Sequence, residues 1–298
     1  MNGWNMVCGD SRIPDWIKLA LLAVIALATG CRSNQPTSIA GVLSADELAR
    51  AWAPSNYRSW IPAQAVLATA ELRGDHLTVR NIRNCQYLNA DDYVVRHYDK
   101  TFDLRQLQTV DFVTVPFRDT PTLAHTMLSF GFRNGEYVAV SVEARYEQGE
   151  TYSPVKGAMR QYELMYVVAD ERDVIGLRAK HRKDDVYLYR TRSSPELARA
   201  LLLDMMARAN KLAAEPEFYD ALSNNCTTNI VAHVNRAQPG RVPLNVGVLL
   251  PGYADRLAYD LGLLDTQLPF EKLKKQAQID GVATRHAEAA DFSQRIRR

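Results

Sequence analysis

His125-Thr126-Met127-Leu128-Ser129-Phe130-Gly131-Phe132, then Arg133-Asn134-Gly135, then Glu136-Tyr137-Val138-Ala139-Val140-Ser141-Val142-Glu143-Ala144-Arg145: two runs of strand-forming residues flank an Asn-Gly turn. This is a strong short-range signal for a β-hairpin, and hence for antiparallel sheet. Its register follows from the side chains. A two-residue loop pairs Arg133 with Glu136 and puts Leu128, Phe130 and Phe132 on the face that carries Ala139, Ser141 and Glu143. A three-residue loop, with Gly135 in the left-handed bulge position, pairs Phe132 with Glu136 instead. Leu128, Phe130 and Phe132 then share a face with Val138, Val140 and Val142, while His125, Ser129, Ala139, Ser141 and Glu143 collect on the other. A one-residue slip exchanges the faces of a whole strand, so the register that separates apolar from polar is expected. It sets His125 directly across from Glu143, with Cβ atoms about 5 Å apart. An imidazole braced in this way has a fixed orientation and basicity. The alternative is an ion pair on a solvated face.

The second informative stretch is Leu222-Ser223-Asn224-Asn225-Cys226-Thr227-Thr228-Asn229-Ile230. Asn224 or Asn225 is a natural helix N-cap, because its side-chain carbonyl can accept from the first unpaired backbone N–H groups. Cys226 then falls in the first helical turn, where the positive end of the helix dipole favours a thiolate. A buried structural cysteine is the competing reading, since cysteine is among the most buried residue types.

Composition narrows the field. The chain has 298 residues, 47% hydrophobic and 23% charged, with a formal net charge of +2. That is enough for a substantial core. The charge is too weak, and no basic stripe is interleaved with aromatics, so nucleic acid is not an expected partner. The four cysteines are Cys8, Cys31, Cys85 and Cys226. No CxxC pair or zinc-like His/Cys spacing occurs, so neither a metal nor another cofactor is expected. A Cys85–Cys226 disulfide remains the alternative in an oxidising compartment.

Near the N-terminus, Lys18 precedes an apolar run from Leu19 to Ala28 that is too short to span a bilayer but suits a signal segment. Ala28-Thr29-Gly30-Cys31 resembles a bacterial lipobox, which implies a signal over 1–30 and lipidation of Cys31; an ordinary cleaved signal or an uncleaved anchor is the alternative. Arg32 rather than aspartate follows, which by resemblance to enterobacterial sorting suggests the outer membrane facing the periplasm. Residues 31–44 read as a polar tether, 45–265 as the catalytic domain, and 266–298 as a polar tail of one helix with a frayed end.

Between these landmarks, Ser44 and Glu47 form a capping box, and Trp52, Tyr57, Trp60 and Ile61 an aromatic cluster over one edge of the core. Strands are expected within 77–87, at Val110–Val115 ended by Pro116, and at 161–169, 174–179 and 186–190. Lys180 to Asp185 reads as a solvated turn. Ser194-Pro195-Glu196 opens a long helix through Leu212, with Leu197, Leu201, Met205 and Ala209 along its core stripe. His233 falls two turns beyond Cys226 on the same helix, about 10 Å away and out of its reach.

Asn81-Ile82-Arg83-Asn84, His125 with Ser129-Phe130-Gly131-Phe132, Ser141-Val142-Glu143-Ala144-Arg145, Glu147 to Pro154, Gln161-Tyr162-Glu163-Leu164, Asn224-Asn225-Cys226-Thr227-Thr228 and Leu250-Pro251-Gly252-Tyr253 occur in this order. Over roughly residues 50 to 265 the set resembles the family of Lnb N-terminal periplasmic domains. The resemblance implies an α+β, papain-like fold in permuted order: an antiparallel sheet whose histidine strands precede a nucleophile-bearing helix. It also implies lipoprotein N-acylation through a thiol acyl-enzyme, with a phospholipid as acyl donor and a lipoprotein N-terminus as acceptor. The family's cysteine and histidine fall on Cys226 and His125, and its orienting carboxylate is carried over to Glu143. Full members of the family add a transmembrane region after this domain; no such run occurs in this sequence, so a related reaction on a different substrate is also expected.

The residues make the same chemical case. Acyl transfer needs a nucleophile, a base, a group that fixes the base, and donors for the oxyanion. Cys226, His125 and Glu143 supply the first three. The N–H of Cys226 with an amide of Asn224 or Asn225 could supply the fourth. Arg83 and Arg145 are candidates to bind a lipid phosphate or to sit in buried ion pairs. Two other functions stay open: a Cys-His peptidase or amidase acting on peptidoglycan or protein, and a non-catalytic envelope lipoprotein.

Overall fold

A computed structural model describes residues 53–298 except Leu244. The signal segment, the tether with Cys31, the Ser44–Glu47 capping box and Trp52 lie outside the described residues. The strands are β1 (Thr69–Arg73), β2 (His76–Arg83), β3 (Gln86–Tyr87), β4 (Tyr93–Val94), β5 (His97–Asp103), β6 (Leu107–Phe117), β7 (Thr120–Phe132), β8 (Tyr137–Arg145), β9 (Glu163–Ala169) and β10 (Tyr187–Arg190). The helices are α1 (Pro154–Ala158), α2 (Glu171–Gly176), α3 (Pro195–Ala214), α4 (Cys226–Ala237), α5 (Val246–Leu249), α6 (Ala254–Asp260), α7 (Phe270–Ala277), α8 (Asp280–Arg285) and α9 (Phe292–Arg295). Eight strands form one sheet in the order β1-β2-β9-β8-β7-β6-β10, with β5 also on β2; β3 and β4 pair apart from it. Its one parallel contact is Arg83 with Ala169. The fold class is therefore α+β with a mainly antiparallel sheet, and α4 carries Cys226.

The β7–β8 hairpin adopts the three-residue loop. Met127 pairs with Ser141, Leu128 with Val140 and Phe130 with Val138. Gly135, at φ +82, closes the turn through its N–H to the Phe132 carbonyl. As the alternation requires, Leu128, Phe130, Phe132, Val138, Val140 and Val142 share one buried core. Leu201, Met205 and Ala209 of α3, Ile230 of α4 and Ala254 and Ala258 of α6 cover it. Each fully buried large apolar side chain there contributes about 1.5–3 kcal/mol.

The opposite face is not solvated. Met127, Ala139, Met165 and Val167 pack against Val174, Ile175, Ile279, Ala283, Phe292 and Ile296. Two expectations are corrected together. The 174–179 segment is not a strand but the end of α2 continued by a wide π turn, Leu177–Arg182. Asp170 caps it by accepting from the Arg172 N–H, with Glu171 and Asp173 in the first turn; a short β-branched run cannot be told from a buried helix by its apolarity. And the C-terminal segment does not fray: Ile279, Ala283 of α8, Phe292 of α9 and Ile296 supply part of that second layer, while Ala277 of α7 joins the first core. Tyr57 is 96% exposed and leaves the expected aromatic cluster, whereas Trp60 is buried against Arg145.

The hairpin then splays. Pairing of β7 with β8 ends at Met127 and Ser141. Beyond that point His125 stays opposite Val115 on β6, and Glu143 opposite Met165 on β9. The two strands follow different neighbours, and the gap between them is where the cavity opens.

Candidate active site

A cavity of about 600 Å³ lies at the splayed end of the hairpin, lined among others by Ala124, His125, Val142, Glu143, Arg178, Arg182, Asn225 and Cys226. Side chains alternate across a sheet, so a gap between strands lets groups from both layers reach one space. Cys226 comes from the α4 layer, where Thr227 Oγ1 lies 3.1 Å from Thr126 Oγ1. Glu143 and Arg178, held by the other layer, meet it from the far side.

Cys226 is the first residue of α4, behind a capping box. Asn225 Oδ1 accepts from the Thr228 N–H at 2.9 Å, and Thr228 Oγ1 accepts from the Asn225 N–H at 2.9 Å. Asn225 Nδ2 donates to the Ala221 carbonyl. Asn224 donates to the Phe218 carbonyl and accepts from Asn229 Nδ2. Both amides thus build the turn that presents the thiol. As the first groups of the helix, the N–H donors of Cys226 and Thr227 have no intrahelical acceptor. Cys226 and Cys85 are both free thiols, so the alternative disulfide does not form. Cys85 is buried beside the first turn of α2, its N–H donating to Asp173, and burial with that carboxylate nearby pushes its thiol up to about 11.

His125 does not contact Glu143 directly: Nε2 and Oε1 are 3.9 Å apart. Ser141 stands between them. Ser141 Oγ lies 2.7 Å from His125 Nε2 and donates to Glu143 Oε1 at 2.8 Å. The serine has one proton, and the ionised carboxylate takes it, so Nε2 must carry hydrogen and donate to Ser141. The lone pair of the imidazole is then on Nδ1, the nitrogen a base would use. Ser141 belonged to the polar set in the expected register, two residues from Glu143, but the register by itself pairs His125 with Glu143 directly.

Glu143 is further held by Arg178 Nη2 at 3.2 Å and Gln64 Nε2 at 3.3 Å. Burial raises its pKa, but Arg178, Arg83 and His125 outweigh this and keep it well below the ordinary carboxylate range. Burial, together with the charge of Arg178, lowers His125 from 6.5 to about 3 against the pull of Glu143. The ring is therefore neutral at pH 7. Both groups oppose acid: below pH 6.5 the unfolded chain protonates this histidine while the native state does not, and protonation of Glu143 removes its ion pair. Stability from the pair is present near neutrality and falls as pH drops from about 6.5 towards 3. Arg178→Gln is expected to raise the His125 pKa towards 6.5, followed by NMR titration of the ring; an unmoved titration would reject this electrostatic assignment.

The thiol and the imidazole line one cavity without bonding to each other. The polar neighbours of Sγ are the Ala124 carbonyl and Thr227 Oγ1, each at 3.9 Å, and Ala124 precedes His125 in the strand. Arg83 and Arg145 are engaged internally. Arg83 binds Asp173 through Nε and Nη2, with Nη2–Oδ1 at 2.8 Å, after a bulge at Asn81 (φ 59) re-aims the end of β2. Arg145 donates to the carbonyls of Gln64 and Ala65 and to Asn56 Oδ1. His233 is fully buried two turns along α4 from Cys226, between Tyr166 at 2.7 Å and Asp204 at 2.6 Å. Sequence reading missed Arg178 and Arg182, which lie on the segment taken for strand and solvated turn. Among the described residues, no cluster of His, Cys, Asp and Glu could hold a metal ion.

Leu249, Leu250 and Pro251 form an apolar wall of the cavity. Gly252 fixes that wall, because a Cβ there would lie 2.0 Å from the Pro121 carbonyl of β7. Gly252→Ala is therefore expected to displace the wall, read as a fall in thermal stability of several degrees, about 1–3 kcal/mol for an overpacked contact.

The molecule is thus an α+β domain whose split sheet brings a helix-start thiol and a tethered imidazole to one partly apolar cavity. It belongs to the Lnb N-terminal periplasmic domain family, whose model matches residues 94–252. The match is narrower than the 50–265 expected; it contains His125, Ser141, Glu143, Arg178 and Cys226 but not Arg83. No curated protein and no solved structure matches the chain. Membership fits a periplasmic location, and among the described residues no helix is long and apolar enough to cross a membrane.

Proposed function

We propose that this protein is a thiol-dependent acyltransferase of the bacterial envelope, lipid-anchored through Cys31 at the outer membrane, with a permuted papain-like arrangement. The observation that carries the reading is the cavity itself. It joins a thiol at the start of a capped helix, an imidazole whose base nitrogen is freed by the Ser141–Glu143 relay, and the wall of Leu249, Leu250 and Pro251. An apolar wall beside a nucleophile suits an acyl chain better than a peptide.

In this reading the thiol proton passes to His125 Nδ1 as Sγ attacks the ester carbonyl of a phospholipid. The oxyanion is met by the first N–H groups of α4. The C–O bond breaks, the leaving alkoxide takes the proton from the imidazolium, and a lysophospholipid departs from a Cys226 thioester. The amine of a lipoprotein N-terminus then attacks the thioester and its proton goes to His125. An amide forms, and the thiolate released from it takes that proton back. The thiol and imidazole close on each other when substrate binds, as catalytic hydrogen bonds commonly do.

The test is intact-mass analysis after incubation with phospholipid vesicles. A hydroxylamine-sensitive increase of one acyl chain on Cys226, absent in Cys226→Ala and passed on as an amide to an added diacylglyceryl-cysteine peptide, is the expected result. A folded protein that forms no adduct would overturn acyl transfer. An adduct lost only to water would make the protein a hydrolase.

A further inference from the structure

We propose that Arg182 forms, at the rim of the cavity shared by Cys226 and His125, a binding site for the phosphate of a glycerophospholipid. The inference deepens the acyl-transfer reading and rests on it for the identity of the ligand. Three arginines line the cavity: Arg83, Arg178 and Arg182. The first is spent on Asp173 and the second on Glu143 and the Val174 carbonyl. The Arg182 guanidinium has no hydrogen bond or ion pair among the described residues. Asp184, which lines the same cavity, feels the charge of Arg182 more than that of any other group, yet makes its ion pair with Arg118, at 3.9 Å from Nε. The placement of Arg182 comes from the π turn Leu177–Arg182, closed by the Lys183 N–H on the Arg178 carbonyl five residues back, with Lys183 itself in the left-handed conformation. That turn brings Arg178 and Arg182, four residues apart, to the same cavity.

The cavity is therefore two-sided, with a guanidinium that is not hydrogen-bonded among the described residues on one side and Leu249, Leu250 and Pro251 on another wall. A ligand that satisfies both carries an anion close to an acyl chain. Guanidinium meets phosphate oxygens through a planar fork of donors, and a glycerophospholipid places that phosphate a few bonds from its ester. The groups acting on the His125 charge are Arg178, Arg182 and Glu143, besides burial. An anion at Arg182 offsets part of the positive field there and makes the imidazole a better base once substrate is bound.

The experiment separates binding from chemistry by using full-length Cys226→Ala protein, which cannot be acylated. Affinity is measured by calorimetry for dihexanoyl-phosphatidylglycerol and for dihexanoylglycerol, which has the same chains and no phosphate. Binding of the phosphate-bearing lipid is expected to be about tenfold tighter or more, the scale of one charge-assisted hydrogen-bonding group. Adding Arg182→Ala should abolish the preference, Arg182→Lys should keep part of it, and Arg80→Ala, which removes a surface arginine outside the cavity, should leave it intact. Equal affinity for the two lipids, or a preference that survives Arg182→Ala, would overturn the proposal. Inorganic phosphate binding as tightly as the lipid would overturn the lipid assignment. Failure of acyl transfer alone, with the Arg182-dependent preference present, would sink the reaction and leave the anion site standing.

Discussion

Replacing Arg297 with methionine is expected to cost about 3–5 kcal/mol of folding stability, the range for leaving a buried charge unpaired. This arginine is next to last in the chain, in a segment whose composition reads as polar tail. Its side chain nevertheless reaches the middle of the second sheet face. Nη2 bonds Glu171 Oε1 at 2.5 Å, Nη1 bonds Oε2 at 2.9 Å, and Nε bonds Asp111 Oδ2 at 2.8 Å. Both carboxylates are fully buried. Asp111 would keep Arg190, and Ser129 would still donate to Glu171. Glu171 would nonetheless lose its one ion-pair partner among the described residues, the group that holds its pKa below the ordinary value against burial. The sign follows from that depression: Glu171 stabilises the fold above its unfolded pKa of 4.5 and loses this as pH falls. The penalty of Arg297→Met should thus be largest near neutral pH and shrink in acid, where Glu171 protonates in both states. Urea unfolding at pH 7 and pH 4 measures it. Arg298→Met, one residue on and exposed, should change stability by less than about 0.5 kcal/mol. Arg297→Lys should recover only part, since a lysine cannot engage both oxygens of Glu171. A loss below about 1 kcal/mol for Arg297→Met would show that the tail does not clamp the sheet.

That clamp also marks the limit of what could be read from the chain. The hairpin register was legible because alternation in 125–145 leaves one arrangement that segregates apolar from polar, and an Asn-Gly turn limits the loop to two lengths. The presentation of Cys226 was legible because Asn225 and Thr228 carry a local capping signature. The contrast lies in long-range facts. The second face looked polar because it carries His125, Ser129, Ser141 and Glu143, and nothing local says that α2, α8 and α9 would cover it and that the segments just after α2 and α9 would bring Arg178 and Arg297 as partners. Arg83 and Asp173 lie 90 residues apart, and their pairing is a consequence of the β2 bulge, not of spacing. The splay of β7 from β8 was equally hidden, because a register extrapolated along two strands assumes that they stay together. It is this splay that turns an expected His125–Glu143 pair into a three-membered relay.

The relay yields the largest catalytic effect expected. In the proposed reaction, His125→Ala should slow acylation of Cys226 by about 10³-fold, within the roughly 10²–10⁴ that a positioned general base supplies. Ser141→Ala is the sharper test, since it leaves both the thiol and the imidazole in the protein. It removes the acceptor of the Nε2 hydrogen and leaves a 3.9 Å gap to Glu143, too long for a hydrogen bond. The ring can then place its proton on either nitrogen, and the fraction with a basic Nδ1 falls. The rate should drop about 10²-fold, less than the roughly 10⁴-fold lost when a serine triad loses its orienting acid, because the Glu143 charge stays in place. A merely structural serine would lower rate and stability together and leave the tautomer alone. A relay serine should shift the ¹⁵N signals of His125 away from a single Nε2–H form while the melting temperature stays within a few degrees. If Ser141→Ala acylates at the wild-type rate with the tautomer unchanged, Glu143 does not act on His125 through this hydroxyl, and the base must be oriented by some other group.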